Sequence, residues 1–399
     1  MYNAHVDRVQ RQISGELFPT DEPIPASQMI GRRADVTELS VALRNGTSVV
    51  LAGPRRTGKT SVCDAALTRV AGHGLYVAAV DLFDLADAGE FAEELAASVL
   101  RNRAAIRKLL RKARQLGRSA LSAAQLALVM KLRTELGDAV ELALEPGLAS
   151  RDPDAALRQA LELPQRVAIA DGKRCVVFFD EFQELANERR PYGNTDAVTK
   201  RMRAIFQRSD QVSYLFAGSL EHVMRDLFGP QDRAFSGFGS FLPLRPIAAD
   251  DWRDGLRSRF ESDECVIGDA ALDRIVALGE LHPRVTMLIA QRTHILSVIL
   301  ARRDIDVPLV DQGYDAAYHG DSALLDQLID GIRSSHRLGL RLARRVAAGQ
   351  TLTTGLHRGD VDRALKKLID IGAIERAGRG EYRILNPLLK RRLLEPARL

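Results

Sequence analysis

A run of eight residues carries the clearest chemical pattern in the chain. Gly53 to Thr60 fits G-x-x-x-x-G-K-[ST], the pattern of a phosphate-binding loop or P-loop. Gly53 and Gly58 have no Cβ, so the backbone can turn sharply and point its N–H groups at phosphate oxygens. The Lys59 ammonium would reach the β- and γ-phosphates, and the Thr60 hydroxyl would bind Mg²⁺. We expect a nucleoside triphosphate to be bound through Gly53, Pro54, Arg55, Arg56, Thr57, Gly58, Lys59, Thr60 and Ser61.

A second candidate site follows an apolar segment. The run from Cys175 to Phe179 is immediately followed by Asp180 and Glu181. Two carboxylates at the end of a buried strand are costly unless a cation lies beside them. With Mg²⁺ there, Asp180 would bind the metal through its water, and Glu181 would orient and polarise the attacking water. The alternative is an exposed acidic turn, but the coincidence with a P-loop favours two halves of one site.

These residues need a sheet and helices to bring them together. Strand-like apolar segments cover 48–52, 75–81, 175–180 and 212–218, and a last one lies near 241–244. Helical spacing follows the P-loop from Ser61 to Val70 and stops at Gly72. This alternation predicts an α/β fold of the P-loop NTPase type with a parallel sheet.

Two further positions flank the predicted sheet. Ser219 follows an apolar strand, so it either lies beside the γ-phosphate and registers its presence or caps the next helix, and both roles can hold together. Gly31 and Arg32 open a helical segment that ends near Asn45, one helix before the P-loop strand. This position predicts either a cap over the nucleotide base or a plain surface helix.

The remaining sequence divides into an arm, an insertion, a lid and a last domain. Residues 1–27 form a polar, proline-containing N-terminal arm, and 28–245 form the P-loop ATPase core with a helical insertion at about 101–165. Residues 246–330 form a helical lid, in which Pro283 starts a helix. Arg284 follows it, either as a cation lowered onto the phosphates or as an ordinary first-turn surface residue.

The C-terminal residues 331–399 have their own order of elements. Helices over 333–348 and 360–371 precede two short strands, 373–376 and 381–385, which flank a glycine-rich turn with Arg379 at its tip. This is the winged-helix arrangement. Its basic second helix could enter a DNA major groove with Arg379 near the phosphates, or the domain could contact protein or act as an internal clamp.

Basic residues are unevenly distributed. Residues 331–399 hold 16 of the 57 Lys and Arg residues but only 6 of the 52 Asp and Glu residues, so this end is strongly positive and the remainder is slightly negative. Arg101 to Arg118 carries eight basic residues and no acidic one. Such asymmetry favours a nucleic-acid or acidic partner, whereas a solvated helix face or a mobile insertion is the alternative for the run from Arg101 to Arg118.

Composition limits the other classes of protein. Hydrophobic residues make up 46% of the chain, which is enough for real cores. Cys63, Cys175 and Cys265 are far apart and follow no metal-binding spacing, so we expect a reducing compartment without disulfides. There is no signal-peptide pattern and no apolar run long enough for a membrane span. We therefore expect a cytoplasmic protein.

Together these motifs resemble the prokaryotic, archaeal-type ATPases of the STAND/AAA+ group, over nearly the whole chain. The resemblance is carried by 30–32, the P-loop, 177–181, 216–219 and the tail from Asp360 to Pro387. It implies that Gly31 and Arg32 line the base pocket and that Ser219 is the first sensor. It also implies that the strand before Ser219 lies between the P-loop strand and the strand of Asp180.

The sequence departs from the pattern of that group at two points. The group's Gly-Gly-x-Pro lid motif is replaced by a looser match from Gly279 to Pro283, next to the second-sensor candidate Arg284. No arginine finger can be placed by pattern, and Arg225 and Arg233 are candidates for one. The basic run from Arg101 to Arg118 is not explained by the resemblance.

The sequence thus predicts an ATP-binding and ATP-hydrolysing switch, in which ATP and Mg²⁺ bind between core and lid and alter how the winged helix sits. No Asn-Lys-x-Asp segment for reading guanine is present, which favours ATP. The main alternative is a DNA-binding regulator or initiator in which ATP only sets conformation. A small-molecule kinase is disfavoured by Glu181, because a water-activating acid suits hydrolysis. A protein partner or a homo-oligomer is compatible with all of these.

Overall fold

The computed structural model describes residues 17–20, 23–54, 56–104, 106–108, 111–112, 121–145, 147–186, 195–229, 233–378 and 380–395. Arg55, Arg379, most of the predicted arm and part of the basic run therefore lie outside the described residues. The chain divides into two compact units. We call residues 34–53 and 59–244 the sheet unit, and residues 1–33, 54–58 and 245–399 the helical unit.

The sheet unit is built on a five-stranded parallel sheet with the order β2-β3-β4-β1-β5. The strand bearing Gly218 at its end therefore lies between the P-loop strand and the strand of Asp180, which confirms the order implied by the resemblance. The strands are β1 (Val49–Ala52), β2 (Tyr76–Asp81), β3 (Cys175–Asp180), β4 (Val212–Gly218) and β5 (Ser240–Phe241).

One helix precedes β1, and the other helices of this unit connect the strands, as parallel pairing requires. They are α1 (Arg33–Arg44), α2 (Lys59–Gly72), α3 (Ala88–Leu100), α4 (Ala123–Leu136), α5 (Ala139–Leu144), α6 (Pro153–Asp171), α7 (Thr195–Phe206) and α8 (Glu221–Phe228). Short 3₁₀ helices cover Ala149–Arg151 and Phe182–Ala186. Gly137 caps the end of α4, and Pro153 is the first residue of α6.

The central strands β3 and β4 are mostly apolar because helices cover the sheet. Every residue of β4 is buried, and in β3 only Asp180 is partly exposed. Aromatic rings fill the space against these strands, with Phe179, Phe182, Phe206 and Phe216 in mutual contact. The carboxyl ends of β3 and β4 are thus fixed by a packed core.

Part of the basic insertion is neutralised within the sheet unit. Arg103 forms ion pairs with Asp171 (2.7 Å) and Glu135 (2.9 Å), and Arg101 pairs with Glu94. Further along the basic run, the side chains of Arg107, Lys108 and Arg111 are exposed. These exposed positions fit the interpretation of a solvated helix face.

The helical unit contains the predicted lid and the predicted C-terminal domain. Its helices are α9 (Ala249–Ser262), α10 (Asp269–Gly279), α11 (Pro283–Ile299), α12 (Val307–Gly320), α13 (Ser322–Ser335), α14 (Gly339–Ala347), α15 (Arg358–Asp370) and α16 (Pro387–Leu394). A 3₁₀ helix covers Ala26–Gln28. Two-residue strands β6 (Val266–Ile267) and β7 (Asp304–Ile305) pair in parallel. Strands β8 (Ile374–Gly378) and β9 (Glu381–Ile384) form an antiparallel hairpin.

One feature of the helical unit differs from the expectations. The predicted helix over 333–348 is wrong in its continuity, because α13 ends at Ser335 and α14 starts at Gly339. His336 is extended there, and its ring accepts the N–H of Leu338 (3.1 Å), which competes with helical hydrogen bonding. In the described part of the predicted arm, Phe18 is fully buried, its ring lies 4.9 Å from that of Phe260, and its carbonyl accepts from Gln291.

The helices α14 and α15, followed by the β8–β9 hairpin, have the order predicted for residues 331–399. The winged-helix interpretation of that order stays a prediction. Within the described residues, no helix combines the length and apolarity that crossing a bilayer demands.

Candidate functional site

The P-loop follows β1 and leads directly into α2. The Gly53 N–H donates to the Gly218 carbonyl (3.3 Å), which ties the start of the loop to the end of β4. Gly58 has φ +88°, a conformation that favours glycine, and α2 begins at the next residue, Lys59. The Lys59 side chain is almost fully buried, at 7% exposure. The strand, loop and helix predicted around the motif are thus present.

Within the helical unit, Arg32 is attached to the P-loop backbone. Its guanidinium donates to the carbonyl of Thr57 (3.1 Å) and to that of Arg245, and only 5% of the residue is exposed. Thr57 Oγ1 in turn donates to the Pro54 carbonyl (2.9 Å), which braces the loop internally. The predicted base-pocket residue is therefore a buried support of the loop, and a nucleotide contact by it stays a prediction.

Gly31 and Arg56 have left-handed backbones. Gly31 has φ +64°, and a Cβ there would lie 2.6 Å from Cγ2 of Ile247, so any side chain would displace its neighbour. Arg56 has φ +63°, which is uncommon for a residue with a Cβ and often marks a functional loop. Arg55, also predicted to contact the nucleotide, lies outside the described residues.

The predicted metal ligands meet in the sheet unit. Thr60 Oγ1 donates to Asp180 Oδ2 (3.2 Å), and the Glu181 N–H donates to Asp180 Oδ1 (2.9 Å). Burial, together with the nearby carboxylates of Glu181 and Asp81, raises the pKa of Asp180 to about 6. A hydroxyl beside a desolvated carboxylate is a donor set that suits Mg²⁺, since this ion prefers oxygen ligands. The residues present therefore fit the metal that the P-loop implies.

Glu181 and Ser219 are joined by a hydrogen bond. Ser219 Oγ donates to Glu181 Oε2 (2.7 Å), and Glu181 has φ +46°. The following helix α8 begins at Glu221 and has Leu220 at its N-cap position. The structure thus brings the predicted water-activating acid and the predicted first sensor into direct contact.

Gln183 was missed by sequence reasoning. It is 3% exposed, and its side chain contacts both Glu181 and Ser219. Asp81 was also missed as a neighbour of the site: it pairs in register with Asp180, and burial raises its pKa. An alignment of the predicted strand ends could have indicated Asp81, whereas no pattern in one sequence indicates Gln183.

Arg284, the candidate second sensor, lies in the helical unit at the start of α11. Its guanidinium forms a two-point ion pair with Asp321 (2.5 and 3.0 Å), and both side chains are about one-tenth exposed. His282 caps the same helix by accepting the Val285 N–H (3.3 Å). Burial and the positive charges of Arg284, Arg56 and Arg383 lower the pKa of His282 to about 4.

The two candidates for an arginine finger lie in the sheet unit and are largely exposed. Arg225 is exposed on α8, and its guanidinium lies 5.8 Å from the ring centre of Phe241. Arg233 has a 48% exposed side chain and pairs with Asp196 at 3.7 Å. Such exposed positions would allow either residue to act as an arginine finger on another molecule, and this role stays a prediction.

No protein-family model matches this sequence, and a comparison with curated proteins gives no match. Among solved structures, a Walker-type ATPase of Pyrococcus abyssi is similar over 94% of this chain and 99% of its own, with a TM-score of 0.69 at 16% identity. The ORC2 protein of Aeropyrum pernix, solved as ADPNP–ADP complexes, is similar over 95% of both chains, with a TM-score of 0.55 at 16% identity. At such identities the likeness shows the fold alone: the chain has the same α/β fold as these two proteins.

Proposed function

We propose that this chain binds ATP with Mg²⁺ and hydrolyses it. The observation that carries the proposal is the 3.2 Å hydrogen bond between Thr60 Oγ1 and Asp180 Oδ2, which joins the P-loop helix to the acidic end of β3. The contact between Ser219 and Glu181 in the same unit supports it, because a water-activating acid and a phosphate sensor belong beside each other. The shared fold supports it further.

Each residue of the site has a proposed task. Lys59 and the P-loop N–H groups neutralise the phosphates, Glu181 orients and polarises the attacking water, and Ser219 contacts the γ-phosphate. Thr60 and Asp180 hold Mg²⁺, which when bound neutralises charge on the β- and γ-phosphate oxygens. The remaining proposed nucleotide contacts are Gly31, Arg32, Gly53, Pro54, Arg55, Arg56, Thr57, Gly58, Ser61 and Arg284.

Hydrolysis by the isolated chain is proposed to be slow. An arginine supplied by a second molecule raises the rate of such reactions by about 10³ or more. The exposed residues Arg225 and Arg233 could serve a neighbouring copy in this way. A turnover number that rises with protein concentration would support this, and a constant one would remove the second copy from the mechanism.

We propose further that the nucleotide state controls the C-terminal domain as in STAND-type switches, with residues 331–399 as a winged helix. The exposed side chains of Arg363, Lys366 and Lys367 on α15 support an acidic partner.

In the alternative function, the chain is a regulator that binds DNA, and ATP only sets its conformation. DNA affinity of the full chain that falls steeply with salt would favour the regulator, because it reports counterion release from phosphates. No binding at low salt would exclude it.

The proposed activity is tested by phosphate release from ATP with Mg²⁺ and without any acceptor molecule. We expect release in the presence of Mg²⁺, loss of release with a chelator, and a weaker response to GTP. Release that requires a small-molecule acceptor would indicate a kinase instead. Absence of both nucleotide binding and release would overturn the proposal.

A further inference from the structure

Gln183 lies at the centre of a buried polar cluster, which we call the Gln183 network: Glu181, Gln183 and Ser219. Gln183 Oε1 accepts the Ser219 N–H (3.1 Å). Gln183 Nε2 donates to Ser219 Oγ (3.3 Å) and to Glu181 Oε2. Since Ser219 Oγ also donates to Glu181 Oε2, the three side chains close a ring of hydrogen bonds.

The orientation of the Gln183 amide is fixed by chemistry. The Ser219 N–H can only donate, so the amide oxygen must face it. The amide NH₂ must then point to Glu181 and Ser219, where it supplies one hydrogen to each. An ionised Glu181 can only accept, and its Oε2 atom receives two donors in this arrangement.

The backbone leaves the Gln183 side chain little freedom. The preceding residue, Phe182, is fully buried, with its ring 4.7 Å from that of Phe216 and 5.6 Å from that of Phe235. Gly218 lies against the amide: a Cβ there would be 2.7 Å from Gln183 Oε1. A rigid core on one side and a glycine on the other therefore seat the amide between the ends of β3 and β4.

We propose that Gln183 is a positioning residue for hydrolysis, a role that rests on the proposed function. It holds the Glu181 carboxylate by Oε2, which leaves Oε1 to receive the attacking water. When the Ser219 hydroxyl turns its proton towards the γ-phosphate, Glu181 loses one of its two donors, and Gln183 keeps the carboxylate in place. Gln183 thus transmits the presence of the γ-phosphate from Ser219 to Glu181.

The test is Gln183→Met, which has similar volume but lacks the amide. We expect kcat for ATP to fall about 10- to 100-fold, because a fixed hydrogen bond at a catalytic group is worth this order of magnitude. The KM and the ATP affinity from calorimetry should change less than about twofold, because Gln183 does not take part in binding. A loss of ATP affinity as large as the loss of kcat would show that Gln183 only supports the fold of the site.

Gln165 provides a matched control at the other end of β4. Its Nε2 donates to Asp210 Oδ1 (2.6 Å), and its Oε1 accepts the Gln211 N–H (3.0 Å), so it too bridges a carboxylate and a backbone N–H. Gln165→Met removes, from helix α6 of the same unit, an amide with the same kind of hydrogen-bond partners, and it should leave kcat unchanged. If both variants lose kcat equally, the effect is one of sheet stability and the proposal fails.

A double-mutant cycle distinguishes an effect of Gln183 through the Gln183 network from a general loss of activity. In a Ser219→Ala background, Gln183→Met should lower kcat by much less than it does alone, since residues that act as a unit are not additive. Full additivity would overturn the proposal. If Gln183→Met fails to fold, Gln183→Glu replaces it: this variant keeps an acceptor for the Ser219 N–H but loses the donors, and wild-type kcat in it would also overturn the proposal.

Different results would overturn the proposed function and the role of Gln183. Wild-type protein that neither binds nor hydrolyses ATP would overturn the proposed function and this role with it. Wild-type protein that hydrolyses ATP, with the Gln183 variant at the same kcat, would overturn the role of Gln183 alone.

Discussion

The Thr60 hydroxyl donates a hydrogen bond to Oδ2 of Asp180 across 3.2 Å, although 120 residues separate them in the sequence. The contact exists because β4 holds β1 and β3 on its two sides, so that the P-loop helix and the acidic strand end face the same edge of the sheet. A neutral hydroxyl compensates only part of the cost of burying a carboxylate. The pair is therefore an oxygen-rich site at which a divalent cation would offset the cost of the buried carboxylate.

Asp180→Asn should stabilise the protein when no ligand is bound. The pKa of Asp180 is raised from 3.8 to about 6, so ionising this group inside the fold carries a cost that is absent below pH 3.8 and complete above pH 6. Removing the charge should raise the free energy of unfolding at pH 7 by about 3 kcal/mol. Calorimetric melting of both proteins at pH 7 checks this.

The same variant should lose its response to Mg²⁺. We expect Mg²⁺ with ATP to raise the melting temperature of the wild type and to leave Asp180→Asn nearly unchanged, because the metal ligand is gone. Asp210→Asn, at an exposed carboxylate beyond the opposite end of β4, controls for the substitution. A less stable Asp180→Asn protein, or an unchanged Mg²⁺ response, would contradict the assignment.

Lys59→Ala should abolish tight ATP binding. Lys59 is 7% exposed as a residue and lies at the start of α2, where a charged hydrogen bond to phosphate is little screened by water. We expect the affinity measured by calorimetry to fall at least about 100-fold, equivalent to roughly 3 kcal/mol. Lys173→Ala, at an exposed lysine over the ring of Tyr76, should bind like the wild type. Equal affinities for both variants would remove the P-loop from nucleotide binding.

Glu181→Gln should separate binding from turnover. The amide oxygen can still accept from Ser219, so the geometry at the end of β4 survives, but the group no longer polarises water. We expect ATP affinity within about threefold of the wild type and a phosphate-release rate lower by about 10² to 10³. Glu162→Gln, in an exposed pair with Arg166, is the control. Phosphate release at the wild-type rate would exclude Glu181 from this role.

The sequence predicted the parts of the fold that depend on local pattern. The P-loop context and the strands before Asp180 and Ser219 follow from apolar runs and a motif whose residue types are set by phosphate chemistry. Parallel strands buried on both faces must read as continuous apolar segments, which makes them easy to recognise. The strand order came from the resemblance, since no local signal specifies which strands are neighbours.

Contacts between distant residues could not be predicted. Gln183 meets Ser219 only because the turn after β3 is anchored by Phe182, and Arg32 reaches the Arg245 carbonyl across 213 residues of sequence. The helix break at His336 depends on a side-chain hydrogen bond that competes with the helix, and the burial of Phe18 depends on a pocket made by later helices. Periodicity reports which face of an element is buried and says nothing about its partner.

The ion pair of Arg284 and Asp321 should stabilise the helical unit. Both side chains are about one-tenth exposed, so removing either partner leaves a largely buried charge. We expect Arg284→Gln and Asp321→Asn each to lower the free energy of unfolding by about 3 kcal/mol, and the double variant to lose less than the sum. Urea denaturation of the four proteins measures the coupling. Additive losses would show that the pair is not a unit.

The nucleotide affinity of the same variants distinguishes a second-sensor role of Arg284 from a purely structural one. A guanidinium that binds phosphate is lost in Arg284→Gln but kept in Asp321→Asn. We therefore expect an affinity loss of about tenfold in the first variant, or 1.4 kcal/mol, and a smaller one in the second. Equal affinities would leave Arg284 with its structural role only.

His282 should make the stability of the helical unit depend on pH. Its pKa is lowered from 6.5 to about 4 by burial and by the charges of Arg284, Arg56 and Arg383, so the folded protein keeps the ring neutral. The contribution of the neutral His282 ring to stability is complete above pH 6.5 and is lost as the pH falls from 6.5 to 4, because only the unfolded chain takes up the proton readily.

The variant His282→Asn tests this, because it keeps an acceptor for the Val285 N–H and cannot titrate. Urea unfolding between pH 4 and 7 should show a loss of about 3 kcal/mol in the wild type that is missing in this variant. His73→Asn is the control for removing one exposed imidazole. The same pH dependence in His282→Asn and the wild type would place the titrating group elsewhere.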